Sequence, residues 1–370
     1  MPRIPAKSHP SARMPLVDAL KAIASQLIVL HHLAAYGPLS AALQQAAPGL
    51  VGWFYDYARI AVQVFLVIGG FLAARGLSAH GDGLAAPPWA LIWKRYTRLV
   101  VPFMAAMALA VICAALADQW MDDPSIPARA TLAQWFAHVF LLHGVLDFDA
   151  LSAGAWYVAI DFQLFALLAL LLWLGHAGGQ LLGAFRHLAM LLVCALAVAS
   201  LLWFNRDAAW NNWGLYFFGS YGLGAATWWA AERRRLASWL ALIAAVGILA
   251  LVVDFRLRIA LALTVALALG FARRSGLLER WPDNAVFARL GRISYSVFLV
   301  HFPVCLLANG LYAKSGLNSA STAAVGMALA WAASIGIATL FYRYVESPAA
   351  SVRINATLAW PIRAFTRQAG

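Results

Sequence analysis

The chain has 370 residues, 63% of them hydrophobic and only 11% charged, with a mean hydropathy of +0.75. A soluble domain carries roughly a quarter charged residues, so this composition excludes an ordinary water-soluble protein and makes lipid the natural solvent. The formal net charge of +12 does not point to nucleic acid, because the basic residues lie between apolar runs, as membrane topology determinants do, and not in one soluble patch.

Taken in chain order, residues 1–15 are basic and Pro-interrupted and lead into an apolar segment without a small-residue cleavage site, so that segment reads as a retained helix. A spanning helix needs about 20 mostly apolar residues. Ten stretches qualify: Leu16–Tyr36, Tyr57–Leu77, Arg98–Ala117, Ala155–Gly175, Arg186–Phe204, Trp213–Ala231, Leu236–Val253, Ile259–Ala272, Ile293–Tyr312 and Thr322–Tyr344. An eleventh, Thr131–Leu146, is apolar but short and carries His138 and His143. Charge decides that it does not cross. With ten crossings the outer side keeps only Arg59, Arg129, Arg206, Arg256, Arg258 and Lys314, and the Arg233–Arg235 cluster faces the cytosol; an eleventh crossing would turn that cluster outward, against the positive-inside rule. The expectation is an all-α polytopic bundle of about ten transmembrane helices, with both termini cytosolic and residues 1–370 forming one membrane domain. The Ala- and Leu-rich composition fits a bacterial inner membrane. Cys113, Cys194 and Cys305 sit in apolar runs at spacings that match neither a disulfide framework nor a metal site, and read as small buried residues. No metal is expected.

Ionisable groups cost about 2.5–3.5 kcal/mol each at the centre of a spanning helix, so each one calls for a reason. The first helix carries Asp18, Lys21, Ser25 and the pair His31–His32. Lys21 and His32 are eleven residues apart, which places them on one face about 16 Å apart along the axis, with Asp18 a turn below Lys21. Lys21 either snorkels to the interface or serves a substrate running along the helix towards His32. Arg95 and Arg98, a turn apart at the cytosolic rim, form either a positive-inside anchor or a pair of guanidinium forks for phosphate. In the fourth span Trp156 and Asp161 fall near the outer entry, and Asp161 needs a partner at a depth similar to that of His32. The ninth span adds Ser294, Tyr295, Ser296 and His301.

In this order and spacing the segments resemble the acyltransferase-3 family of membrane O-acyltransferases, from Leu16 to Pro348. The resemblance is carried by Lys21 with His32, by Gln63-Val64-Phe65 leading to Gly69-Gly70-Phe71, and by Arg95-x-x-Arg98 with Pro102. It continues in Trp156 with Asp161, in Gly291, Ser294, Tyr295, Ser296, Leu299, His301 and Pro303, and in Glu346-Ser347-Pro348. Four positions depart from the family's usual residues: Lys21 for Arg, Gln63 for Asp, Gly69 for Ser and Asp161 for Glu.

The resemblance implies transfer of an acyl group from cytosolic acyl-CoA, acetyl-CoA above all, to a hydroxyl of an extracytoplasmic carbohydrate or glycolipid acceptor. Acyl-CoA is then a co-substrate, and no cofactor is bound permanently. On this reading Arg95 and Arg98 hold the donor's phosphates and Lys21 its arm. His32 is the general base, with Asp161 orienting its ring; an acyl-histidine route is the alternative. Trp156 and His301 shape the acceptor end, and Ser294, Tyr295 and Glu346 support the site. A transporter or flippase lined by the same residues, or an inactive scaffold of the same fold, are the other classes this sequence admits.

Overall fold

The computed structural model describes residues 13–181, 187–232, 236–347 and 350. Arg186, the Arg233–Arg235 cluster, Pro348 and both termini, on which part of the orientation rests, lie outside the described residues. Within them the fold is helical, without a strand. Eight helical stretches are long and apolar enough to cross a membrane. The chain runs α1 (Pro15–Ala35), α2 (Gly37–Ala46), α3 (Pro48–Asp56), α4 (Val62–Leu77), α5 (Trp89–Ala117), α6 (Leu132–Val139), α7 (Ala155–Leu181) and α8 (Leu188–Leu202). It continues with α9 (Gly214–Ala230), α10 (Leu236–Val253), α11 (Leu257–Ser275), α12 (Leu277–Arg280), α13 (Ala285–Ser315) and α14 (Ala320–Phe341), which runs into a single π-turn, Tyr342–Glu346. The sixth and eighth expected spans correspond to α9, which is short at 17 residues, and α11, which carries Arg258, Arg273 and Arg274, and both pack inside the same bundle.

Helix–helix contact in lipid depends on close approach, because tails solvate apolar side chains as well as neighbouring helices do. Glycines make the closest contacts, among them Gly70, which brings α4 onto the carbonyl of Tyr221 in α9. Gly291 brings α13 onto the backbone of α1 at Asp18, and Gly224 brings α9 onto the carbonyl of Val67 in α4; a Cβ at either position would collide with main chain. These contacts place α1 beside α13 and α4 beside α9, and the first pair carries Lys21, His32, Ser294, Tyr295 and His301. A buried amide joins α2 to α13: Asn309 Oδ1 accepts from the Leu39 N–H at 2.9 Å, and its Nδ2 donates to the Cys305 carbonyl at 3.0 Å.

Basic residues gather at one end of this bundle. Arg75 at the end of α4 reaches Met14 Sδ at 3.8 Å, and Arg273 at the end of α11 pairs with Glu232 at 2.5 Å and covers the Trp228 ring. Arg13 joins Asp18 to Asp283, each at 3.0 Å. By the positive-inside rule this is the cytosolic end.

The stretch 131–146 does not cross. Its helix, α6, has 8 residues, about 12 Å of rise against a hydrocarbon layer of about 30 Å. Thr131 and Gln134 start it with a reciprocal capping box. It folds back along α5, where the Tyr96 hydroxyl donates to the Val139 carbonyl at 2.9 Å and the Phe103 ring stacks on His138 and His143. In consequence Gly154, just before α7, packs against Phe298, halfway along α13. The expectation that Trp156 and Asp161 lie near the outer entry is therefore corrected: α7 begins inside the bundle.

His138 and His143 stack with ring centroids 4.1 Å apart and 9° between planes. His138 is satisfied, Nδ1–H donating to the Gln134 carbonyl at 2.8 Å and Nε2 accepting from the Leu151 N–H at 3.1 Å, whereas both ring nitrogens of His143 are buried without a partner. Burial and the neighbouring imidazole push His143 down to about 3, and burial lowers His138 as well. The unfolded segment takes up these protons near the ordinary histidine pKa and the folded one does not. Stability is thus complete above about pH 6.5 and falls below it, by up to ~1.4 kcal/mol per pH unit for each histidine. Hydrogen exchange should show residues 131–154 losing protection between pH 7 and pH 5, with His143→Phe reducing the slope; a flat profile in the unmodified protein would contradict the account.

Candidate active site

Seven of the ten site residues expected from the sequence line one cavity of about 610 Å3: Lys21, Arg95, Arg98, Asp161, Ser294, Tyr295 and Glu346. Helices α1, α4, α5, α7 and α13 and the π-turn after α14 supply its walls. Lys21 comes from α1, Arg95 and Arg98 from consecutive turns of α5, Asp161 from the second turn of α7, and Ser294 and Tyr295 from α13; Glu346 follows α14. Arg13, Asp18, Gly69, Tyr157, Arg292 and Phe298 are among the other lining residues. Arg13, Arg98 and Arg292 are exposed, so this end of the cavity opens at the basic face of the bundle.

The deepest charge is held by an ion pair. Arg95 Nη2 donates to Asp161 Oδ2 at 2.5 Å, with the Asp161 side chain 11% exposed and that of Arg95 32%. This corrects the role expected for Asp161. It does not orient His32, because its carboxylate is spent on Arg95; in a medium of low dielectric a carboxylate seeks the nearest cation before a neutral imidazole. Arg95 in turn is not a free phosphate fork, although its buried Nε–H has no partner and remains an unspent donor. Glu346 accepts the Ser296 hydroxyl, Ser294 donates to the Gly291 carbonyl at 3.0 Å, and the Tyr295 hydroxyl donates to the Leu99 carbonyl at 3.2 Å, tying α13 to α5. That tie sits beside Pro102, which lacks an N–H and leaves the Arg98 carbonyl without its helical donor.

Three cations remain. Among the described residues Lys21, Arg98 and Arg292 have no carboxylate within 4.0 Å, while Arg13 is paired with Asp18 and Arg95 with Asp161. The cavity wall thus carries uncompensated positive charge.

His32, His301 and Trp156 do not line this cavity. The two histidines form their own cluster, ring centroids 4.7 Å apart and edge to face, bordered by Tyr36 and Phe302. Each ring faces a carbonyl one turn back, which can only accept, so each Nδ1 carries the proton: His32 donates to Ile28 at 2.9 Å and His301 to Val297 at 3.1 Å. That tautomer leaves both Nε2 lone pairs available, and the Nε2 of His301 is buried without a partner. Phe298 stands between this cluster and the cavity. It lines the cavity, lies 6.0 Å from the His301 ring and contacts Tyr157 at 5.0 Å. Trp156 stacks on Phe217 at 5.5 Å and faces His143, Gln163 and Asn212 on the far side of α7.

Arg292, Tyr157 and Phe298 are among the lining residues that sequence reading missed. The first resembles any positive-inside arginine, and the other two any core aromatic.

A model of the acyltransferase-3 family, described as an acyltransferase domain, matches residues 15–343. No curated protein and no solved structure matches the chain. The family match spans α1 to the end of α14, the helices that build both the charged cavity and the histidine cluster, and the chain belongs to the acyltransferase-3 family as a multi-pass membrane acyltransferase.

Proposed function

We propose that the protein takes an acyl group, acetyl above all, from cytosolic acyl-CoA and transfers it to a hydroxyl of an extracytoplasmic carbohydrate or glycolipid. The observation that carries this reading is the cavity open at the basic end, with Lys21, Arg98 and Arg292 unpaired on its wall. Unpaired cations in a bundle of this composition call for an anion, and a phosphate-bearing thioester provides one that guanidinium groups bind well.

The chemistry follows from the tautomer of His32. With Nδ1–H committed to Ile28, Nε2 takes the proton of the acceptor hydroxyl. The hydroxyl oxygen attacks the thioester carbonyl, the C–S bond breaks, and the proton passes from Nε2 to the departing thiolate. The donor's acyl end reaches His32 when Phe298 swings out of the way, so this ring separates the donor cavity from the acceptor side and keeps water from the thioester between turnovers.

Reconstituted in liposomes and given radiolabelled acetyl-CoA at the cytosolic face alone, the protein should label an acceptor. His32→Ala should lower that rate by about 10²–10⁴-fold, and an undiminished rate removes His32 from the mechanism. Substrate appearing unmodified in the lumen marks transport instead.

The Arg95–Asp161 pair gives a second test. Removing one member leaves a buried charge alone, a loss of about 3–5 kcal/mol in a closed interior; with Arg95 partly open to the cavity, about 2–3 kcal/mol is expected. Arg95→Met and Asp161→Leu should each lower the thermal midpoint in detergent, and the double variant should recover most of the loss. Additive losses in the double variant would show that the two groups do not depend on each other.

A further inference from the structure

Sequence reading assigns Arg289, Arg292 and Arg343 to the cytosolic side as topology determinants. The structure brings them to one place. A second cavity, about 800 Å3, lies between the first two turns of α13 and the end of α14, lined by Arg13, Asp283, Arg289, Arg292, Tyr342 and Arg343. Arg289 and Arg292 are three residues apart and share a helix face, while Arg343 enters from the π-turn opposite. Asp283 is occupied by Arg13. Among the described residues Arg289, Arg292 and Arg343 have no carboxylate within 4.0 Å, and residues 1–12 and 348–370 contain no Asp or Glu. Topology requires only that arginines lie on one side of the membrane; it does not require three of them, from two helices, to face a single concavity against their mutual repulsion.

This cleft adjoins the donor cavity. Arg13, Arg292 and Tyr342 line both, so the two spaces are neighbours that share a wall of side chains. A cavity of this size suits a nucleotide-sized group, and three guanidinium groups suit several phosphates at once.

We propose that this cleft binds the phosphate-rich nucleotide head of the acyl-CoA donor, with Arg289 and Arg343 on the ribose phosphate and Arg292 on the diphosphate. The diphosphate then lies between Arg292 and Arg98, and the pantetheine arm continues into the neighbouring cavity, along Lys21. The assignment rests on the acyl-CoA reading and adds to it the place of the head and the residues that select it. The same phosphate chemistry is offered by an anionic lipid headgroup, which the test separates.

The test measures calorimetric affinity for CoA, dephospho-CoA lacking the ribose phosphate, and pantetheine, with the full chain in phosphatidylcholine nanodiscs. The unmodified protein should prefer CoA to dephospho-CoA. Arg289→Gln with Arg343→Gln should weaken CoA binding by about tenfold or more, reduce the preference for the ribose phosphate, and leave pantetheine binding unchanged. The matching double Lys variant should retain part of the affinity and serves as the folding control. Unaltered CoA binding by the Gln variant overturns the assignment while leaving the donor reading intact. Failure of the unmodified protein to bind CoA removes the donor reading and this site with it. If native mass spectrometry of protein from discs containing phosphatidylglycerol shows the Gln variant losing only bound lipid, with CoA affinity unchanged, the cleft is a headgroup site and the assignment falls.

Discussion

A charge inside a membrane bundle is tolerated only when another group answers it, and the contact between Arg95 and Asp161 organises the interior of this protein around that rule. It ties α5 to α7 where α7 begins within the bundle. By occupying the only carboxylate on α7 that lines the cavity, it also leaves Lys21, Arg98 and Arg292 facing open space. The cavity is cationic because Arg13, Lys21, Arg95, Arg98 and Arg292 outnumber Asp18, Asp161 and Glu346 on its wall, and two of these carboxylates are in contact with Arg13 and Arg95.

Above this charged chamber the bundle changes character. Phe298 and Tyr157 form an apolar layer, and beyond them two imidazoles meet edge to face with their Nδ1 protons held by their own helix. One ring, Phe298, separates the charged chamber from the imidazoles. The proposed reaction uses both halves, with the anionic end of the donor below and its reactive end reaching past Phe298.

The positions at which the sequence departs from its family's usual residues have local explanations for three of the four. Gln63 accepts the Ser220 hydroxyl at 2.6 Å across α4 and α9, a neutral bond that needs no carboxylate there. Gly69 lets the Tyr221 ring lie against α4, where a Cβ would meet Tyr221 at 3.1 Å with Asp161 Oδ1 at 3.9 Å, so the space a serine would fill is taken by the ring. Asp161, with its shorter arm, still reaches Arg95 at 2.5 Å. Nothing in the structure explains Lys21 in place of arginine.

Composition and periodicity determine the solvent, the helical class and most of the crossings, because a lipid interior admits only helices here and each must be about 20 apolar residues long. Charge counting also settled that 131–146 does not cross, and spacing identified Lys21, Arg95, Arg98 and Asp161 as residues needing a reason. Only the tertiary structure decided the pairings. Helical rise along α1 places His32 above Lys21, but no periodicity shows that 131–154 folds back along α5 and starts α7 against Phe298, the displacement that carries Asp161 away from His32 and onto Arg95. Nor does spacing show that Arg289, Arg292 and Arg343 share a concavity, since α13 and α14 meet through a loop whose geometry is set by packing. One-dimensional patterns report the faces of single helices; which face meets which is fixed by close approach at residues such as Gly291 and Gly224, and that is a property of pairs of helices.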